Sequence, residues 1–200
     1  MLHPDTELRF INEDIGFGVV ATRFIPRGTI TWAIDKLDQL IPPERIATLT
    51  GIYQRVLLKH AFRDAFGNAI LCWDHARFVN HSCAPTSLAP GFNFEIAVRD
   101  IHPGEELTDD YGSLNVEAPF RCLCRAANCR TFVGPDDFLA FADQWDAQIA
   151  AAFPLIASAS QPLWELVREK EEVLAVLDGR MPLPSCRRHY LAPAELSKAS

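Results

Sequence analysis

Between Gly18 and Val98 the apolar positions come in short runs or alternate with polar ones, whereas beyond Gly134-Pro135 they return at steps of three and four. The two periods predict strands in the first part and helices in the last. Gly18-Val19-Val20-Ala21-Thr22-Arg23-Phe24-Ile25 and Thr29-Ile30-Thr31-Trp32-Ala33-Ile34 read as two strands joined at Pro26-Arg27-Gly28. After Pro42-Pro43, residues Ile46, Leu49, Tyr53, Val56 and Leu57 fall at helical spacing, so one helix over 43–58 should interrupt the strands. Phe62 to Trp73 predicts a hairpin turning at Gly67-Asn68, and Phe92, Phe94, Ile96 and Val98 alternate as a further strand. Between them, Arg77-Phe78-Val79 reads as the end of a buried strand that runs into the polar side chains of Asn80-His81-Ser82-Cys83.

In the last part, Phe138, Phe141, Trp145, Ile149 and Phe153 make one helical face that stops at Pro154. Leu163, Leu166, Val167, Val173, Leu174 and Leu177 make another, with Glu165, Arg168, Glu169 and Glu172 on its polar side. Such stripes are packing surfaces. Pro193 to Ser200 should fray.

Composition narrows the class without naming it. Two hundred residues with 48% hydrophobic content suffice for one ordinary core. The start, Met1-Leu2-His3-Pro4-Asp5, has no basic region followed by an apolar stretch, and the apolar tract near Ala150–Ala159 is broken by Pro154. No membrane partner is expected and the cytoplasm is the default compartment, with export and nuclear entry left open. A net charge of −7 argues against direct nucleic-acid binding, which needs clustered Lys and Arg, and suits a basic partner instead.

Six cysteines at 72, 83, 122, 124, 129 and 186 bring candidate chemistry. Without an export signal they are poor candidates for a disulfide framework. Cys122-x-Cys124-x4-Cys129 is a loop short enough to gather three thiolates around one soft ion, one short of a tetrahedral zinc shell. By spacing alone the fourth ligand is Cys72, Cys83, Cys186 or a histidine. Two other stretches are weaker signals. Gly16-Phe17-Gly18 opens a strand and would let backbone groups approach a ligand. Asp109-Asp110 before Tyr111-Gly112 reads either as a divalent-ion pair or as a solvated turn.

Taken in order, Gly16-Phe17-Gly18, Arg77-Phe78-Val79-Asn80-His81-Ser82-Cys83, Glu106-Leu107-Thr108-Asp109-Asp110-Tyr111 and Cys122-x-Cys124-x4-Cys129 resemble the SET-domain family of S-adenosylmethionine-dependent protein-lysine methyltransferases, over roughly residues 8 to 133. The resemblance implies an α+β, mainly β fold: small curved sheets with a pseudoknot-like crossing, followed by a helical extension. It divides the chain into a SET domain at 1–117 with a helical insert at 36–60, a post-SET zinc segment at 118–133 and a helical extension at 134–200. It implies that Gly16, Phe17, Gly18, Asn80 and His81 face the methyl donor and that Arg77 holds the crossing. Tyr111 is then the catalytic tyrosine beside the lysine channel. Cys83 becomes the fourth zinc ligand with Cys122, Cys124 and Cys129.

The expected function is methyl transfer from S-adenosylmethionine to a lysine amine of a basic protein substrate, histone-like or ribosomal. The alternative is a catalytically weak or merely zinc-stapled module that binds basic peptides; the oligomeric state stays open. A lysine amine of pKa about 10.4 costs about 4.6 kcal/mol to hold neutral at pH 7. An apolar channel beside a positive sulfonium lowers that cost, so Tyr111 is expected to orient the amine while no strong base is required. The chain departs from the family at Trp32-Ala33-Ile34-Asp35-Lys36, at Ala84-Pro85-Thr86 and at Asp109, where many members carry Phe or Tyr at a position linked to the number of methyl groups added.

Overall fold

The computed structural model describes residues 1–192, so the expected fraying of 193–200 lies outside the described residues. Strand β1 (Thr6–Asn12) pairs antiparallel with β2 (Gly16–Ala21) in the register Leu8↔Val19. Next come β3 (Ile30–Ala33) and β4 (Gln39–Ile41), helices α1 (Pro43–Ala47) and α2 (Gly51–His60), and the hairpin β5 (Ala61–Arg63) and β6 (Ala69–Leu71). Then follow β7 (Asn80–His81), β8 (Ser87–Leu88), β9 (Phe94–Ala97), β10 (Glu106–Asp109), β11 (Phe120–Arg121) and β12 (Phe132–Val133). Helices α3 (Asp137–Ala152) and α4 (Lys170–Leu177) complete the chain.

The strands form a four-stranded sheet in the order β1-β2-β10-β7, two three-stranded sheets, β3-β9-β8 and β4-β6-β5, and the pair β11-β12. The first two strands expected from sequence therefore join different sheets, because β2 pairs with β1 and β10 while β3 pairs with β9. Within the first sheet, β10 lies antiparallel to β2 and parallel to β7, with Thr108 opposite Asn80 and Asp109 opposite His81. The Thr86 hydroxyl donates to the Thr108 carbonyl at 3.1 Å and accepts from the Thr108 N–H at 2.8 Å. Residues 80–88 thus run beside β10 and on into the next sheet, which is the crossing expected from the resemblance.

Three local expectations change. Arg77-Phe78-Val79 is no strand: His75–Phe78 is a 3-10 turn whose start is capped by Asp74, accepting from the Ala76 N–H at 3.0 Å. A carboxylate at that position satisfies an orphan N–H and favours a turn over extension. The single helix over 43–58 is two helices, broken at Thr48–Thr50, where two β-branched threonines on either side of Leu49 precede Gly51. The second C-terminal stripe is likewise split, into the 3-10 turn Trp164–Leu166 and α4.

The hairpin at Gly67-Asn68 and α3 form as the sequence predicts. Phe138, Trp145 and Ile149 on α3 are fully buried against Phe92, Phe94 and Ile96, so the helical extension packs on the sheets as part of the main core. Each such side chain contributes about 1.5–3 kcal/mol of burial. Among the described residues no helix is long and apolar enough to cross a membrane.

Candidate active site and metal centre

The parallel pairing of β10 with β7 brings the end of one motif against the other. The Tyr111 hydroxyl donates to the Val79 carbonyl at 2.7 Å, and the Tyr111 N–H donates to His81 Nδ1 at 3.1 Å. Burial, then the carboxylates of Asp109, Glu106 and Glu95, push the Tyr111 phenol upward, so it stays neutral. Burial takes His81 down to about 4 despite the nearby Asp110 carboxylate, so the imidazole is neutral as well. His81, Tyr111 and Phe120 meet as an aromatic group with ring centroids 5.6 to 6.0 Å apart.

On the other side of β7, the Asn80 amide donates to the Phe17 carbonyl at 3.0 Å and to Glu106 Oε1 at 2.7 Å. That clamp leaves no room at Gly18, where a Cβ would lie 2.2 Å from Glu106 Oε1 and 2.7 Å from Asn80 Nδ2. Gly16 has nothing within 4 Å of such a carbon but sits at φ +82°, a region that favours glycine. Backbone of Gly16-Phe17-Gly18 is therefore held open and close to Asn80, while the Phe17 ring is exposed and packs edge-on against Phe10.

A cavity of about 710 Å³ lies between α2, the β4-β6-β5 sheet and the 111–120 segment, and Tyr111 is on its wall. Asp109 and Glu95 line it as well. Asp109 is only 3% exposed, so it is neither the solvated turn residue nor half of a paired-aspartate metal site: its partner in sequence, Asp110, faces elsewhere. Asp110 accepts from the Gly112 N–H at 3.0 Å, from Trp145 Nε1 at 3.1 Å and from Arg130, which stacks 4.4 Å above the Phe141 ring. Arg77 lies over the Phe78 ring on the cavity wall.

Four side chains, His81, Cys83, Cys122 and Cys124, hold donor atoms within 4.8 Å of one another. Cys129 packs against the same cluster, but its sulfur lies outside that group of four. The tautomer of His81 decides between the two candidates for the fourth place. Because Nδ1 accepts the Tyr111 N–H, the proton of the neutral ring resides on Nε2, 3.3 Å from Cys83 Sγ. A protonated nitrogen has no lone pair for a metal, so His81 acts as a donor to the Cys83 sulfur. Each of the four sulfurs instead accepts a backbone N–H: Cys83 from Arg130 at 3.4 Å, Cys122 from Cys124 at 3.4 Å, Cys124 from Cys83 at 3.5 Å and Cys129 from Thr131 at 3.4 Å.

Such bonds stabilise thiolates. At Cys124, burial opposes ionisation, but the N–H groups of Cys83 and Ala126 outweigh it and bring the thiol down to about 7. The Cys83 and Cys122 sulfurs are 3.8 Å apart, and a tetrahedron with metal–sulfur bonds of about 2.3 Å has edges of about 3.8 Å. The sulfurs of Cys83, Cys122 and Cys124 are placed to hold a soft ion such as zinc. Thr131, at φ 69° in this loop, is strained by roughly 1–3 kcal/mol, a conformation that surrounding restraints must hold. Cys72 and Cys186, also candidates by spacing, are buried in other clusters.

Of the residues singled out from sequence, the structure brings Tyr111, His81 and Asn80 together at the crossing, Asn80 onto the Gly16-Phe17-Gly18 backbone, and Cys83, Cys122, Cys124 and Cys129 into one cluster. Sequence reasoning missed Glu95, because alternation along β9 places it on the polar face and implies solvent, and it missed the Asp110–Arg130–Trp145 group, whose members are far apart in sequence.

Residues 16–112 match the family model described as the SET domain, and the crossing of β7 with β10 lies within that match: this chain carries a SET domain. Among curated proteins it is 30% identical over 141 residues to the histone-lysine N-methyltransferase Set2 of Drosophila melanogaster, covering 62% of this chain and 6% of the relative. It is 26% identical over 199 residues to the H3 lysine-36 specific histone-lysine N-methyltransferase of Yarrowia lipolytica, covering 93% of this chain and 24% of the relative. The chain thus spans a quarter or less of the length of these two relatives. A solved structure of KRYPTONITE in complex with mCHH DNA, H3(1-15) peptide and SAH is 21% identical, with a TM-score of 0.46, covering 66% of this chain and 30% of that one.

Proposed function

We propose that this chain transfers a methyl group from S-adenosylmethionine to a lysine amine of a protein substrate. The observation that carries the reading is the position of Tyr111, fixed by its hydroxyl to Val79 and by its N–H to His81, where the crossing meets the cavity. Backbone of Gly16, Phe17 and Gly18, with Asn80 and His81, would hold the donor, which supplies a methyl group on a positively charged sulfur. The cavity would receive the lysine. Its wall is mostly apolar, built from Leu57, Phe62 and Val79 among others, which disfavours the ammonium form and so favours the nucleophile. Tyr111 is neutral and already donating, so its free lone pairs accept an amine N–H and orient the nitrogen.

Cys83, Cys122, Cys124 and Cys129 would hold zinc as a structural ion, tying the 118–133 segment to the crossing through Cys83. The net charge of −7 supports a basic substrate such as a histone-like or ribosomal protein, with no nucleic-acid contact required. The test is incubation with labelled S-adenosylmethionine and lysine-rich basic proteins, followed by mass spectrometry of the lysines. Methylated lysines that vanish with Tyr111→Phe support the reading. Peptide binding with no transfer at any pH would reduce the chain to a binding module.

A further inference from the structure

We propose that Glu95 and Asp109 act together as the proton acceptor for the target amine in this site; the inference rests on the methyl-transfer reading above. Glu95 on β9 and Asp109 at the end of β10 come from different sheets, yet both line the cavity that Tyr111 lines. The two carboxyl groups lie near enough on that wall for each to influence the other's ionisation, and neither forms an ion pair among the described residues. Two neighbouring buried carboxyls without an ion-pair partner share one proton, since like charges that close do not both ionise. The pair therefore carries one negative charge at the wall of a mostly apolar cavity.

Other groups in the cavity are already committed. Tyr111 is a neutral phenol donating to Val79, Glu117 is taken up by Arg63 at 2.6 Å, and His60 packs edge-on against Phe78. Around the pair stand the Asp110 carboxylate, whose charge opposes ionisation of Asp109, and the Met1 amino group, which favours ionisation of Glu95. The Cys72 thiol is pushed up by burial and stays neutral, and the cations on the cavity wall are Lys59, Arg63 and Arg77. Burial holds Asp109 well above the usual carboxylate range and lifts Glu95 to about 7, where a carboxylate is basic enough to take a proton and still return it to water.

The step balances simply. A lysine ammonium gives one N–H proton to the shared carboxylate, leaving a neutral amine with a free electron pair and a doubly protonated, uncharged acid pair. That electron pair then forms the nitrogen–carbon bond as the carbon–sulfur bond breaks toward sulfur, and the acid pair returns its proton to solvent.

The experiment compares kcat/KM against pH for the full chain and for Glu95→Gln and Asp109→Asn, with thermal melts to confirm folding. The pair predicts that each variant is at least ~10-fold slower at pH 7 and regains the wild-type rate as the pH passes about 10.4, where the amine loses its proton to water unaided. A uniform loss at every pH, or a rise in KM with an unchanged pH profile, overturns the assignment. Infrared titration of the carboxyl band reads the pair without catalysis: a Glu95- and Asp109-dependent protonated band at pH 7 is expected, and a fully ionised pair overturns it. If the band is present but the wild-type chain transfers no methyl to any lysine, the methyl-transfer reading itself has failed and this role fails with it.

Discussion

The Tyr111 hydroxyl donates its proton to the Val79 carbonyl, one residue ahead of the Asn80–His81 strand, at 2.7 Å. Hydroxyl and carbonyl are 32 residues apart in sequence, so the bond exists only when β10 has taken its place beside β7. Tyr111→Phe removes the hydroxyl and keeps the ring packing on His81 and Phe120. Turnover is expected to fall by about 100-fold through loss of amine positioning. Affinity for S-adenosylmethionine, measured by isothermal titration, should stay within a factor of about 3, because the donor side rests on other residues.

Metal content separates the two four-ligand sets. With His81 donating to Cys83, elemental analysis should find one zinc per chain in wild type and in His81→Gln, but little in Cys129→Ala. Because Cys83 follows directly on the crossing, chelation should also weaken donor binding. A chelator that strips zinc while donor affinity holds would separate Cys83 from the donor site.

Gly18 and Gly16 should respond differently to alanine. Gly18→Ala drives a methyl group into Glu106 and Asn80 and breaks the clamp on Phe17, so donor affinity should drop by at least ~10-fold. Gly16→Ala meets open space and is left with backbone strain of about 1–2 kcal/mol, which melts report as lost stability with a smaller change in donor binding.

Asp110 is a buried carboxylate that ties the extension to the site. Arg130→Met leaves it with only the Trp145 and Gly112 donors, and the expected loss is about 3–5 kcal/mol in chemical denaturation. A double-mutant cycle with Trp145→Phe should show coupling, since both side chains serve one carboxylate.

Stability should also depend on pH through Glu95. Burial raises its carboxyl in the folded state to about 7, above the value in an unfolded chain, so the native state binds more protons between those values. The stabilising contribution is therefore full below the unfolded pKa and is lost as pH rises toward 7, by on the order of 1–3 kcal/mol. Melting temperature against pH should show that slope in wild type and a flatter one in Glu95→Gln.

The sequence by itself determined the local units: the hairpin at Gly67-Asn68, the apolar face of α3 and the cysteine triplet, each legible because period and spacing act over a few residues. Order and spacing of the polar motifs also pointed to Asn80, His81 and Tyr111 as a group. The tertiary structure decided what those groups face. Glu95 looks solvated in an alternating strand, yet it borders a cavity because the insert at α2 and the 111–120 segment close over that face. Asp109 and Asp110 look alike in sequence, but successive residues of an extended chain point to opposite sides. One therefore joins Glu95 in the cavity and the other meets Arg130 and Trp145, partners 20 and 35 residues away that only folding brings within reach.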